Sequence, residues 1–457
     1  MKKFTAFVLG VFALPTVLFA QGEGFSMNVD GAVGATIVDG ELVNSIGIRP
    51  EFVIGKLGVR LDLSLYLDAD GKIKDEYWDE PGDYLEKIYY IRWGQKGDPF
   101  YIKGGQLDNV TLGYGLLVNN YANSVEYPNR IRVGTQIGID KGDWGFDAFQ
   151  NNFRELDNKG SLYGVRGFYR PIPILEVGAT WASDNDQFAN VGFREDVKDA
   201  KDLLSTLTLP AIPGEPAKLD GFLKEDPAIS GFVLDAAVPI IRQKSLNLTF
   251  YTQYAKLIDY GYGLTPIGAK LQISLLSARA ELRRFGKEFV SEYFDRTYEL
   301  NRSSLVNSDG VYSAVTKEES ITSFQKTTNG YFGEASFTIP QILVATAAFS
   351  DMLGNKDENG KSIHDQSLYA EADLNTKYIP QISKATAYYQ QTHVDNVFSF
   401  DQTQSTIWGY KLGYELAANA SLVFDWQHHY VPNGTKANGE TKYKVERVVT
   451  IETIISF

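Results

Sequence analysis

The chain has 457 residues, of which 44% are apolar and 22% charged, with a formal net charge of −13. The apolar fraction is too low for a bundle of membrane helices, and 44 basic against 57 acidic residues, with no Lys/Arg-rich block, predict no nucleic-acid partner. The absence of cysteine excludes a disulfide framework and a zinc-thiolate site. The 27 Tyr, 27 Phe and 42 Gly are typical of many strands joined by tight turns.

The N-terminal stretch, MKKFTAFVLGVFALPTVLFA, has the layout of a secretory signal peptide. Lys2 and Lys3 precede an apolar run that is broken by Pro15 and ends at the small residue Ala20, after which cleavage is predicted. We assign residues 1–20 to this cleavable signal and residues 21–457 to the mature protein. The alternative is an uncleaved membrane anchor. Beyond Ala20 no apolar run reaches the roughly 18 residues of a membrane helix, so a membrane-spanning mature chain would have to be a barrel.

The mature chain alternates apolar and polar side chains at every second residue, the period of a sheet with one apolar face. In LGVRLDLSLYLD the apolar set runs from Val59 to Leu67, and the opposite set contains Arg60 and Asp62. The same alternation occurs in RIRVGTQIGI, LNLTFYTQY, LSARAELRRF, SLVFDWQHHY and the final VERVVTIETIISF. This pattern predicts an all-β chain, because a helix would scatter the apolar residues around its axis.

The breaks between the predicted strands are alternately short and long. This arrangement is typical of a single transmembrane antiparallel up-and-down barrel with short periplasmic turns and long extracellular loops. The count comes to about 18–20 strands within a range of roughly 16–20, and an even number places both chain ends on one side. Three connections, residues 108–129, 183–228 and 287–328, exceed an ordinary loop in length.

Together, the signal peptide, the lack of cysteine, the alternation, the aromatic strand ends and the terminal Phe457 resemble a porin-like bacterial outer-membrane β-barrel. The resemblance implies that the barrel assembly machinery reads the last strand through Val449, Ile451, Ile455 and Phe457, with Thr453 as a polar departure. It also implies surrounding outer-membrane lipid in a Gram-negative cell envelope. Porins of this type are often homo-trimers, which no residue here decides. The alternative fold is a soluble β-sandwich that Phe457 closes.

Charged side chains opposite the apolar faces are predicted to line a lumen, because a charge near the bilayer midplane costs roughly 2 to 4 kcal/mol. They are Arg49, Arg60, Asp62, Arg130, Arg132, Arg166, Arg279, Glu281, Arg283, Asp425 and Glu452. We expect a water-filled channel for passive diffusion of small polar or anionic solutes. Two alternatives stay open. The arginines and carboxylates only brace the wall, or the barrel is a platform for surface binding or adhesion through its long loops.

The connection 108–129 is a candidate constriction. If it folds inward, Asp108 and Glu126 would face the two arginines at 130 and 132 and form an eyelet of opposed charges. The alternative is a loop that stands outward on the surface.

Residues able to hold a metal or to form a catalytic triad are scarce. The chain has 4 His, and His428 and His429 point to opposite faces of their predicted strand. Two fragments similar to calcium loops, LDADGKIKDEY and NKDENGKSIHDQ, are explained by turn chemistry. The sequence therefore predicts no metal, no cofactor and no enzymatic activity.

Overall fold

The computed structural model describes residues 25–38, 41–68, 70–156, 161–190, 228–243, 245–308, 311–356, 362–374, 379–436 and 441–457. The predicted signal peptide, residues 1–20, lies outside the described residues, and so does most of the 183–228 connection.

Within the described ranges, none of the helices has the length and apolar character needed to cross a membrane. They are Asp75–Tyr77, Pro81–Glu86, Phe153–Leu156, Gln187–Ala189, Tyr298–Asn301, Lys317–Ser323 and Val397–Ser399.

The fold is a closed antiparallel β-barrel. Its β segments are β1 (Phe25–Val38), β2 (Glu41–Ile54), β3 (Leu57–Leu61), β4 (Leu63–Leu67), β5 (Ile88–Trp93), β6 (Phe100–Gly105), β7 (Gly134–Asp140), β8 (Trp144–Gln150), β9 (Leu162–Ile172), β10 (Leu175–Asp184), β11 (Ile229–Gln243), β12 (Leu246–Leu257), β13 (Tyr262–Ile273), β14 (Leu276–Phe285), β15 (Ser303–Ser308), β16 (Val311–Thr316), β17 (Thr328–Ile339), β18 (Leu343–Lys356), β19 (Ser362–Leu374), β20 (Ile382–Val394), β21 (Ile407–Ala417), β22 (Ala420–Thr435) and β23 (Thr441–Ser456). β3 and β4 both pair with β2 and are two halves of one strand, so the barrel in the described residues has 20 strands. β15 and β16 form a separate hairpin. The predicted all-β barrel and its strand number are confirmed.

The ring closes where β23 pairs with β1. Gly34 lies at this seam, and a Cβ there would come within 2.0 Å of the carbonyl oxygen of Ile451. The two strands therefore approach at a distance that only glycine permits.

The two ends of the barrel differ. Short turns occupy the end that carries Phe25 and Phe457, which we call the turn end; those that the structure describes in full are residues 55–56, 94–99, 141–143, 173–174, 274–275, 340–342 and 418–419. The opposite end, the loop end, carries the longer connections, of which the structure describes residues 70–87, 106–133, 151–156, 185–190, 286–308, 311–327 and 395–406. This matches the predicted alternation of turns and loops except at residues 258–261, which make a short turn at the loop end, and Phe25 and Phe457 lie on one side.

Two long connections fold into the barrel. We call residues 106–133 the first inner loop and residues 286–308 with 311–327 the second inner loop. They meet at a parallel bridge between Val118 and Phe294. Apolar side chains from both loops and from the inward faces of the wall form one buried core, including Leu107, Leu112, Leu116, Leu117, Tyr121, Phe149, Ala255, Phe289, Tyr293, Phe294 and Tyr298. Part of the interior is therefore packed like the core of a soluble protein.

Candidate functional site: the barrel interior

The outer face of the barrel is apolar. Exposed large side chains on it include Val33, Ile46, Ile91, Phe100, Trp144, Leu234, Phe250, Leu282, Tyr331, Leu412, Phe424 and Ile451. On β14 the alternation is direct, because Leu282 is 57% exposed while its neighbours Glu281 and Arg283 are buried. A strand that turns apolar groups outward and ionic groups inward suits lipid outside and a polar interior.

Most of the predicted lumen residues lie on inward faces of strands. Arg49 on β2 binds Glu452 on β23 through two hydrogen bonds of 2.7 and 2.8 Å, and its Nε donates to Asp62 at 3.1 Å. Asp62 lies at the break between β3 and β4 and also accepts a hydrogen bond from the hydroxyl of Tyr127 in the first inner loop. This cluster ties three strands and a loop together near the closing seam.

The alternating charges of β14 form a second cluster. Glu281 accepts a hydrogen bond of 2.6 Å from Arg283, and Arg283 also contacts Glu292 of the second inner loop at 3.0 Å. Arg279 contacts Glu334 on β17 at 3.0 Å and donates to the carbonyl oxygen of Tyr114 in the first inner loop. These side chains therefore connect the wall to both inner loops.

The remaining predicted wall residues differ in their pairing. Arg166 contacts Asp235 at 2.8 Å, and Asp425 contacts Lys411 at 2.8 Å. Arg60 has no ion pair among the described residues and lies over the ring of Tyr89 at 5.0 Å.

The predicted strand RIRVGTQIGI begins later than its alternation indicates. β7 starts at Gly134, and Arg130 and Arg132 belong to the first inner loop. Arg132 lies in the loop because its buried side chain needs ionic partners there. It is almost fully buried and contacts Glu126 at 2.5 Å and Glu299 at 3.3 Å. An isolated buried guanidinium would be far more costly than the lost strand pairing.

The opposed charges predicted for a constriction lie within one loop. Glu126 bonds both arginines, at 2.7 Å to Arg130 and 2.5 Å to Arg132. Asp108 is exposed and contacts Lys103 on β6 at 3.3 Å. Burial alone would raise the pKa of Glu126, but the charges of Arg132 and Arg130 lower it to about 2.

The ion pairs of Glu126 predict an acid-sensitive first inner loop. Because its pKa falls from 4.5 to about 2, its stabilisation is complete above pH 4.5 and is lost as pH falls toward 2. The contribution is about 3 kcal/mol. The protection factors of amides 106–133, which are their exchange rates divided into the intrinsic rates at the same pH, should therefore fall over this pH range in the wild type. In Glu126→Gln the protection of these amides should already be low at pH 7 and should change less with pH. Equal pH profiles for the two proteins would contradict this role of Glu126.

Sequence reasoning missed a buried ionic cluster at the loop end. Arg302 of the second inner loop is fully buried and contacts Asp184 at 2.5 and 2.8 Å and Glu155 at 2.5 Å. Glu299 lies beside it at 3.6 Å and also faces Arg132. All four residues lie in connections between the predicted strands. The i and i+3 spacing of Glu299 and Arg302 was the one link among them that the sequence showed.

A polar cavity of about 290 Å³ lies between the inner loops and the wall formed by β13, β14 and β17 to β20. Asn109, Tyr114 and Asn120 line it from the first inner loop, and Arg296 from the second. Among the described residues, no group of three or more His, Asp or Glu is placed to hold a metal ion.

The deciding observation is the whole cross-section: a closed ring of 20 antiparallel strands, apolar outside and ionic inside, with long loops at one end that fold inward. The chain is a closed transmembrane-type β-barrel with an apolar outer surface. The apolar face of its last strand is part of the outer surface, with Ile451, Ile455 and Phe457 all exposed.

No protein-family model and no curated protein matches the sequence. Solved structures that the barrel resembles include Pseudomonas aeruginosa OprD, at 9% identity and a TM-score of 0.34 over 95% of each chain. Acinetobacter baumannii OccAB4 gives 9% identity and a TM-score of 0.34 over 96% of this chain and 99% of that one. Pseudomonas aeruginosa OpdL gives 8% identity and a TM-score of 0.35 over 95% of this chain and 98% of that one. At these values we transfer no residue role, solute or oligomeric state to this chain.

Proposed function

We propose that the barrel is an outer-membrane channel for passive diffusion of small polar solutes, with anions among them. The observation that supports this is the inner surface, which is lined by ionic and hydroxyl side chains and bounds a cavity of about 290 Å³. Such a lining holds water and offers hydrogen bonds to a solute that has left bulk water. Arg60 faces the interior without an ion pair in the described part of the chain, and such a cation favours anions.

A second candidate is a platform for surface binding or adhesion. The observation that favours it is the buried core formed by the two inner loops, because this core fills part of the interior. In that case the loop end would carry the binding function, and the barrel would only hold it in the membrane.

Single-channel recording separates the two candidates. Purified, refolded barrel would be inserted into a planar bilayer, with the reversal potential measured under a KCl gradient. Stable current steps support the channel, and the sign of the potential reports whether anions or cations pass more easily. A folded, heat-modifiable barrel that gives no current steps would contradict the channel proposal and favour the platform.

We also propose that residues 1–20 direct export and that the last strand is read by the barrel assembly machinery. Phe457 is 79% exposed, and its backbone N–H donates to the carbonyl oxygen of Val29 at 2.9 Å. Its side chain therefore contributes little packing to the finished barrel, while its ring is free to be recognised before closure.

Phe457→Ala should lower the amount of folded barrel in cells far more than the yield of refolding in detergent. The matched control is Phe398→Ala, since Phe398 is also exposed but lies in the 395–406 connection. Heat-modifiable band intensity on gels measures both yields. An equal loss in cells and in detergent would assign Phe457 to stability and refute the assembly signal.

A further inference from the structure

We propose that the polar cavity between the inner loops and the wall binds a neutral, hydroxyl-rich solute of monosaccharide or polyol size. This inference rests on the channel function proposed above and names its solute class. Three observations support it: the charges lining the cavity are matched, its neutral polar groups are arranged in rows, and the ring of Phe332 in its wall is already covered.

The ionic side chains around the cavity are nearly all paired with one another. The pairs are Arg279–Glu334 at 3.0 Å, Arg296–Glu371 at 2.7 Å, Lys317–Asp295 at 3.3 Å and Arg283–Glu292 at 3.0 Å. An anionic solute would have to compete with these carboxylates for their cations, and a cationic solute with the arginines. Lys270 alone lines the cavity without such a partner among the described residues. One exposed ammonium in a wet cavity attracts an anion only weakly.

Neutral hydrogen-bonding groups form cross-strand rows on the wall. Ser277 on β14, Ser336 on β17 and Thr346 on β18 are consecutive partners in the sheet register, and Thr346 donates to Ser336 at 2.9 Å. Nearer the loop end, Ser350 faces the same cavity. No hydrogen bond in the described residues uses the hydroxyl of Ser277 or Ser350. Each hydroxyl both donates and accepts, which matches the hydroxyls of a polyol and not the acceptor-only oxygens of a carboxylate.

The opposite side of the cavity has the same chemistry. Asn109, Asn119 and Asn120 of the first inner loop line it, and an amide offers a donor and an acceptor side by side. The ring of Phe332 does not offer a stacking face, because the guanidinium groups of Arg279 and Arg283 lie 4.6 and 4.0 Å from its centroid. An aromatic solute would therefore gain little from stacking on Phe332.

The test compares two probes of similar size, neutral sorbitol and anionic gluconate, as blockers of the single-channel KCl current. We expect sorbitol to reduce the current in a saturable way and gluconate to do so several-fold less. Gluconate that blocks as well as sorbitol, or a current that neither probe affects, would overturn the solute class while leaving the channel itself established. A barrel that carries no current fails the channel proposal first.

Substitutions in the cavity wall test whether sorbitol blocks the current at this site. Ser277→Ala and Ser350→Ala should each weaken sorbitol block about fivefold, as expected for one lost neutral hydrogen bond. Ser245→Ala, in an exposed turn at the turn end, is the matched control and should behave as wild type. Lys270→Gln should leave sorbitol block intact and reduce any residual effect of gluconate. Unchanged sorbitol block in both serine variants would refute the site.

Discussion

Excision of the first inner loop should raise the single-channel conductance several-fold and leave the barrel folded. Residues 106–133 leave the wall at Gly105 and return at Gly134, and these two glycines are paired in the β6–β7 register. A two-residue Asn-Gly turn therefore suffices to join the strands as a hairpin. The excision also removes Leu116, Leu117 and their neighbours from the core that both loops share, so the second inner loop loses its packing partner.

The control for this excision is a change at the loop end that leaves the interior alone. Replacing the exposed residues 398–402 with glycine and serine should keep the wild-type conductance. Heat modifiability and the β-sheet circular dichroism signal would confirm that both variants are folded. A folded excision variant with wild-type conductance would show that the first inner loop does not limit the flow of ions.

The strands and their facing were accessible from the sequence because a period of two is a local property. This period gives the apolar face from Val59 to Leu67 and the charged face of Arg279, Glu281 and Arg283. It also gives the apolar face of the last strand, which includes Phe457. The break at Asp62 was not accessible. It depends on two partners that hold the carboxylate inside the wall, Arg49 on the neighbouring strand and the hydroxyl of Tyr127 in the first inner loop.

The inward folding of the loops was also beyond a local pattern. The segment LGYGLLV shows its apolar character in the sequence, yet what it contacts is Phe294, which lies more than 170 residues further along the chain. Arg132 shows the same limit, because its alternation with Arg130 predicted a strand, while its buried partner Glu299 determines where it lies. Long-range ionic pairing overrides local periodicity wherever a charge is removed from water.

Arg302→Met should release the second inner loop from the wall, the largest effect we expect from a single substitution. Arg302 is fully buried and joins Asp184 of β10 to Glu155 of the 151–161 connection. Its removal leaves two buried carboxylates unpaired, which costs about 3 to 5 kcal/mol. Burial already raises the pKa of Glu155 against the charge of Arg302, so this carboxyl should take up a proton at higher pH in the variant.

The measurement is hydrogen exchange of amides 286–308 together with fluctuation of the open-channel current, both of which should rise in Arg302→Met. Arg242→Met is the matched control, because Arg242 is exposed near the turn end and has no ion pair in the described residues. Asp184→Asn combined with Arg302→Met should recover part of the protection, since it removes one of the orphaned charges. Exchange and current noise equal to wild type in Arg302→Met would mean that the apolar core around Phe294 holds the loop without help from the ionic cluster.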